Sequence, residues 1–117
     1  MQKIQSVEHV IELLENAVKD RGADWVYPLE WKHRDGPCRY FIDGKPGCII
    51  GHVIYQLGGG PDDVEEGEGV FGLEVWNRVL EISDDYKILE ILEILSTAQT
   101  AQDYGTSWGE AVAAAYA

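Results

Sequence analysis

Two cysteines and two of the three histidines are the residues of this chain that could bind a metal ion. Cys48 and His52 stand four positions apart, so both side chains share one face if the segment is helical. Together with Cys38 and His33 they would offer two sulfurs and two nitrogens to a tetrahedral zinc ion. Nine residues separate the cysteines, whereas zinc knuckles place paired cysteines about two to four residues apart. The sequence therefore predicts no metal or other cofactor, and both cysteines fit as small buried hydrophobic residues.

A catalytic cysteine is the second chemical possibility. Cys48 follows Gly47 at the expected start of a helix, where unpaired amides and the helix dipole can activate a thiol. The nucleophile also needs a base, and His52, one turn along the same helix, would approach the sulfur from an unfavourable direction. The chain contains no phosphate-binding loop and no GxGxxG, GxSxG or HExxH motif. We therefore expect a protein without enzymatic activity, and a site centred on Cys48 and His52, metal-binding or catalytic, is the alternative.

The densest charge in the chain is a run of carboxylates that follows the second predicted helix. It consists of Asp62, Asp63, Glu65, Glu66 and Glu68. A calcium-binding loop of the EF-hand type would start at Asp63 and would need glycine at its sixth position for a sharp turn. Glu68 occupies that position, so the run does not fit such a loop. We expect these five residues to form an interaction surface, and a solvated face that keeps the protein soluble is the simpler interpretation.

The whole chain is acidic, with 21 Asp and Glu against 9 Lys and Arg and a formal net charge of −12. Up to Pro61 there are 8 acids and 7 bases, and after it 13 acids and 2 bases, so the excess belongs to the second half. Direct binding to nucleic acid or to an anionic membrane needs clustered Lys and Arg, and we expect neither. The expected partner is a protein with a basic surface.

Apolar residues at helical spacing predict the elements that must position these side chains. A first helix is expected to begin at Val7, between a cap at Ser6 and a stop at Gly22. A second helix runs from about Ile49 to Gly58, and a single helical turn begins directly after it. Cys48 therefore lies at the start of the second helix.

The second half of the chain holds the strongest helical pattern. A long helix capped by Ser83 or Asp84 carries a wide apolar stripe that includes Leu89 and Tyr104. Ser107 is the expected cap of a last short helix. These two elements supply much of the apolar surface that the core requires.

A β-hairpin is expected between the first two helices. Aromatic and β-branched residues at positions 25–31, turn residues at 34–37 and a strand-like run at 38–42 indicate two short strands. The hairpin therefore spans about Leu29 to Ile42, and it must pack on helices because two strands alone are marginal in water. The segment from Gly72 to Leu80 fits either a short helix or a strand.

Length and composition favour one domain. A chain of 117 residues with 45% hydrophobic residues buries enough apolar surface to fold without a disulfide or a metal. We predict a single compact α+β domain over residues 1–117, predominantly helical, with about four or five helices and one small antiparallel β-hairpin. No secretory signal region and no run of about 18 apolar residues is present, so we expect a cytoplasmic protein.

Two segments resemble a known group of sequences. Residues 38–58 resemble a block of the form C-x-Y, a short turn with G-x-P, C-[IL]-[IV]-G, an apolar helix and L-G. Residues 98–109 resemble an A-Q-x-x-Q-D-x-G-x-x-W-G block. Together the blocks are similar to small uncharacterised proteins of actinobacterial phages and their hosts. The resemblance implies a phage or prophage accessory protein that binds a host or defence component in the host cytoplasm, and it implies no activity.

The leading hypothesis is a non-enzymatic interaction protein. Its acidic second half would bind a basic partner, or exposed aromatic residues would form a homodimer. A small-molecule-binding protein is a further alternative, because four tryptophans and six tyrosines could line a ligand pocket. A Cys48 buried among apolar groups, with no histidine or carboxylate nearby, would count against the cysteine site. A pocket that holds Cys48 or His52 beside a perturbed carboxylate would count against the interaction hypothesis.

Overall fold

The computed structural model describes residues 1–31, 39–64, 80–83 and 85–116, and helices form the body of this part of the chain. Four α-helices lie within it, namely α1 Val7–Arg21, α2 Ile49–Gln56, α3 Ile88–Asp103 and α4 Trp108–Ala115. A two-stranded antiparallel sheet pairs β1 Phe41–Ile42 with β2 Lys45–Pro46. The prediction of a mostly helical α+β fold with one small hairpin is confirmed.

Capping residues define the ends of α1 as the sequence predicts. The Ser6 hydroxyl accepts a hydrogen bond from the His9 backbone amide at 3.0 Å, and Gly22 ends the helix with a φ of 101°. The buried face of α1 comprises Val10, Leu13, Leu14 and Ala17. These side chains join a single core cluster to which all four helices contribute.

The central element is α3, which packs against α1, α2 and α4. It begins at Ile88, after a 3-10 turn over Asp85–Lys87, and therefore later than the predicted cap at Ser83. The Ser83 amide instead donates to the Ile4 carbonyl at 2.8 Å, within a short parallel bridge to the amino-terminal segment. The other predicted cap, Asp84, lies outside the described residues, as do residues 72–79.

The hairpin lies at a different place from the one predicted. Its two-residue turn is Asp43-Gly44, with φ values of 53° and 81°, and positive φ at both positions is typical of the tight turns that join antiparallel strands. Leu29–Trp31 forms a 3-10 turn instead of a strand, because the Trp31 amide bonds the carbonyl of Pro28 at 3.1 Å. The predicted turn at 34–37 lies outside the described residues.

Among the described residues, no helix combines the length and the apolar character that crossing a membrane requires.

Candidate functional site

Cys48 is a buried core residue at the start of α2. Its side chain has no exposed surface and its thiol is free. The first two amides of α2 already have acceptors on α3. Gln102 Oε1 accepts from the Ile49 amide at 3.0 Å, and Gln99 Oε1 accepts from the Ile50 amide at 3.2 Å. Two of the amides that could activate a cysteine at a helix start are thus already hydrogen-bonded to side chains of α3.

His52 is buried, with 5% of its surface exposed, and both of its ring nitrogens have partners. Gln56 Nε2 donates to the Leu13 carbonyl at 2.7 Å and lies 3.0 Å from His52 Nδ1. A carbonyl can only accept, so this Gln56 atom is the amide nitrogen and Nδ1 is an acceptor. The proton then sits on Nε2, which donates to Asp20 Oδ2 at 3.1 Å. His52 therefore joins α1 to α2, and neither nitrogen is free for a metal or for base catalysis.

Two of the four candidate zinc ligands, Cys48 and His52, lie in the described part of the chain. Cys38 and His33 lie outside it, and the described ranges hold no group of three or more Cys, His, Asp or Glu side chains that could bind a metal ion.

The structure describes the first two residues of the predicted acidic surface. Asp62 and Asp63 are exposed on a 3-10 turn over Pro61–Asp63, and Asp63 Oδ2 accepts from the Gly60 amide at 2.7 Å. Asp63 therefore stabilises its own turn, whereas Asp62 presents its carboxylate to solvent. The other three members of the run, at positions 65, 66 and 68, lie outside the described residues.

A cleft opens between the end of α1, β2 and α2, and we call it the histidine cleft. It has a volume of 460 Å³ and is lined by Asp20, Arg21, Lys45, Pro46, His52, Tyr55 and Gln56. Two of these side chains are cations and one is a carboxylate. This cleft is the place where the described structure combines His52 with titratable neighbours, and it joins the end of α1 to residues 45–56, which lie far from it in the sequence.

Tryptophan rings and a backbone carbonyl hold the Arg21 side chain at the edge of the histidine cleft. Its guanidinium carbon lies 4.5 Å from the ring centre of Trp25, 5.4 Å from Trp31 and 5.9 Å from Trp108, distances at which a cation is attracted to an aromatic face. Arg21 Nη2 also donates to the Pro46 carbonyl at 2.7 Å. The buried Nε of Arg21 has no hydrogen-bond partner in the described structure.

A second depression, which we call the acidic groove, runs between α1, α3 and α4. It has a volume of 480 Å³ and is lined by Val7, Ile11, Glu90, Glu93, Ile94, Thr97, Ala114, Ala115 and Tyr116. Most of these side chains are apolar, the two glutamates are exposed, and no Lys or Arg lines the groove. Lys87 approaches from outside and lies 3.2 Å from Glu90 in an exposed ion pair.

Tyr116 closes one end of the acidic groove. Its hydroxyl donates to Glu15 Oε1 at 2.9 Å. Partial burial raises the pKa of Tyr116 above its ordinary value, and the hydrogen bond to Glu15 and the charge of that carboxylate raise it further. Tyr116 therefore keeps its proton at neutral pH and ties the carboxyl end of α4 to α1.

Sequence reasoning did not find these two depressions. Asp20 stands 32 positions before His52, and no local spacing connects them. The acidic groove leaves only a weak signal in the sequence, two apolar residues, Val7 and Ile11, one helical turn apart. In the structure both are only half-buried. The predicted apolar stripe of the long helix is too wide, because two of its members, Leu89 and Tyr104, are 77% and 87% exposed to solvent.

The two sequence blocks that carry the resemblance touch each other in the fold. Gln99 and Gln102 of the second block bind the first amides of α2, which belong to the first block. Gly51 has a packing role as well, because any side chain there would overlap the Tyr40 carbonyl oxygen. The blocks thus specify a helix contact. The chain matches no protein-family model, no curated protein and no solved structure.

Proposed function

We propose that this chain is a non-enzymatic interaction protein that binds a basic, partly apolar segment of a protein partner in the acidic groove. The observation that carries the proposal is the composition of the groove: apolar side chains beside exposed Glu90 and Glu93, with no lysine or arginine in the lining. A segment with Lys or Arg on one side and apolar residues on the other complements both features.

Charge supports the same kind of partner. The net charge of −12 attracts basic proteins and speeds their encounter, and salt weakens this effect. Two copies of the chain are a poorer fit to the groove, because facing grooves would bring Glu90 and Glu93 of each copy together and like charges repel. The Lys87 ion pair with Glu90 is exposed on both sides, so a partner cation can displace it at a cost of about 1 kcal/mol or less.

The resemblance to phage and prophage proteins supports a host or defence component as the partner and the host cytoplasm as the place of action. The buried Cys48 and the hydrogen-bonded ring of His52 offer no support for a cysteine-centred or metal-centred function.

Affinity purification with charge-matched variants tests the proposal. The groove variant is Glu90→Lys with Glu93→Lys. The control is Asp24→Lys with Asp62→Lys, which makes the same change in net charge at two exposed positions outside the groove lining. Each immobilised protein is incubated with host lysate at low salt, and bound proteins are identified by mass spectrometry.

We expect wild type and control to retain a partner with a basic segment and the groove variant to lose it. Binding of the purified pair should weaken as salt rises. Retention of the same partner by the groove variant, or its loss from the control alone, would overturn the assignment to the groove. Loss of the partner from the control alone would instead place the interface at one of the two control positions.

A further inference from the structure

The histidine cleft concentrates positive charge in an otherwise acidic protein. Arg21 and Lys45 both line it, and Asp20 is the one carboxylate in its lining. Elsewhere in the described structure Lys3 and Lys87 lie 3.8 Å and 3.2 Å from a glutamate. Neither Arg21 nor Lys45 has a carboxylate within ion-pair distance among the described residues. Their charges are therefore available to a ligand.

The single carboxylate of the cleft already has a partner. Asp20 Oδ2 accepts the hydrogen bond from His52 Nε2 at 3.1 Å, so part of its hydrogen-bonding capacity is used within the protein. Two cations against one carboxylate leave the cleft with a net charge of +1. Because the net charge of the chain is −12 and most of its surface is unfavourable to anions, a cleft with two cations and one carboxylate is a favourable place for an anion.

The guanidinium of Arg21 is held in place before any ligand arrives. Its bond to the Pro46 carbonyl and its contacts with the tryptophan rings fix the side chain, so little further rotamer freedom is lost on binding. Its Nε–H has no acceptor in the described structure but is buried, so contact with a ligand falls to the other guanidinium N–H groups.

The remaining walls suit a small organic anion. Tyr55 is 55% exposed and offers a hydroxyl and a ring face, while Pro46 supplies an apolar wall. A volume of 460 Å³ lies within the range of known small-molecule sites, about 300 to 1,000 Å³. The cleft is thus larger than a single ion requires.

We propose that the histidine cleft binds a small oxyanion, a carboxylate or a phosphate group, through the Lys45 ammonium and the Arg21 guanidinium, with Tyr55 as a further hydrogen-bond donor. Carboxylate and phosphate groups both accept charge-assisted hydrogen bonds from Lys and Arg side chains. This site is independent of the acidic groove, and either proposal can fail without the other.

The test is a titration of the full chain, labelled with ¹⁵N, with inorganic phosphate and separately with citrate. Each titration is run in Tris chloride at constant ionic strength, and binding is followed by amide chemical shifts and by tryptophan fluorescence, which reports on the rings around Arg21. Saturable shifts at residues 20–21, 45–46 and 52–56 are expected. Saturation by phosphate alone or by citrate alone identifies the oxyanion, and saturation by neither overturns the proposal.

Matched variants assign the effect to the cleft. Lys45→Gln removes an exposed cation from the lining, and Lys19→Gln removes an exposed cation of α1 that does not line it. We expect Lys45→Gln to weaken binding by about fivefold or more, the effect of losing about 1 kcal/mol, and Lys19→Gln to leave it unchanged. Equal weakening in both variants would mean nonspecific charge attraction and would overturn the site. Should Lys45→Gln not fold, the positions of the wild-type shifts decide the question alone.

Discussion

Replacing Gln102 by methionine tests the contact that holds the amino end of α2 against α3. Gln102 is 1% exposed, its Oε1 accepts from the Ile49 amide at 3.0 Å, and its Nε2 donates to Asp103 Oδ1 at 2.9 Å. Methionine has nearly the same length and volume as glutamine, but its sulfur is a weak acceptor. The substitution therefore removes the hydrogen bonds and leaves most of the packing in place.

The expected loss follows from the burial of the amide. A buried N–H that loses its acceptor costs about 1 to 3 kcal/mol of unfolding free energy. A typical domain has about 5 to 15 kcal/mol in total, so the effect is a large share. At roughly 4 °C per kcal/mol for a domain of this size, the expected fall in Tm is about 4 to 12 °C.

Urea unfolding followed by tryptophan fluorescence and by circular dichroism measures the change. The control is Thr100→Met, at an exposed position of the same helix, which should change the unfolding free energy by about 0.5 kcal/mol or less. If Gln102→Met costs no more than this control, the Ile49 amide does not depend on Gln102, and the account of the α2–α3 contact is wrong.

Two further predictions concern backbone packing and ionisation. Gly51→Ala should prevent folding or lower Tm sharply, because the added Cβ would overlap the Tyr40 carbonyl oxygen, whereas Gly60→Ala meets no atom within 4 Å and should fold; equal thermal melts of the two variants would contradict this packing. In an absorbance titration, read as the difference between wild type and Tyr116→Phe, the pKa of Tyr116 should lie above 10.0. Glu15→Gln should lower that pKa without restoring it fully, since burial is the largest cause of the shift. Because the folded-state pKa is raised, the stabilisation is complete below pH 10 and is lost as the pH rises through the folded-state value. An ordinary pKa in wild type would refute the contact with Glu15.

Local signals in the sequence predicted the helices well. Ser6, Gly22 and Ser107 cap or end helices where the sequence places them, because capping depends on hydrogen bonds between near neighbours. The hairpin was misplaced although its strongest signal was present. Asp43-Gly44 is the kind of pair that favours a two-residue turn, and it directly follows the run 38–42 that the sequence analysis interprets as the second strand.

The candidate sites could not be predicted in the same way, because they depend on contacts between distant segments. The pairing of His52 with Asp20 spans 32 positions, and the histidine cleft adds a third segment through Lys45. One long-range contact did leave a signal. Gln99 and Gln102 stand on the apolar stripe of the long helix, one turn apart, and a polar residue on a buried face needs a hydrogen-bond partner.

The two sequence blocks specify the packing of the helices more closely than they specify either depression. The blocks contain the α2–α3 contact and five residues that line the histidine cleft, namely Lys45, Pro46, His52, Tyr55 and Gln56. None of the residues that line the acidic groove lies within residues 38–58 or 98–109. The patterns fix Gly51, Gln99 and Gln102, which make the helix contact, whereas Lys45 stands at a variable position and His52 lies in the stretch specified only as an apolar helix. Among proteins that share both patterns we therefore expect the α2–α3 contact to persist, whereas the patterns leave the charge of both depressions open.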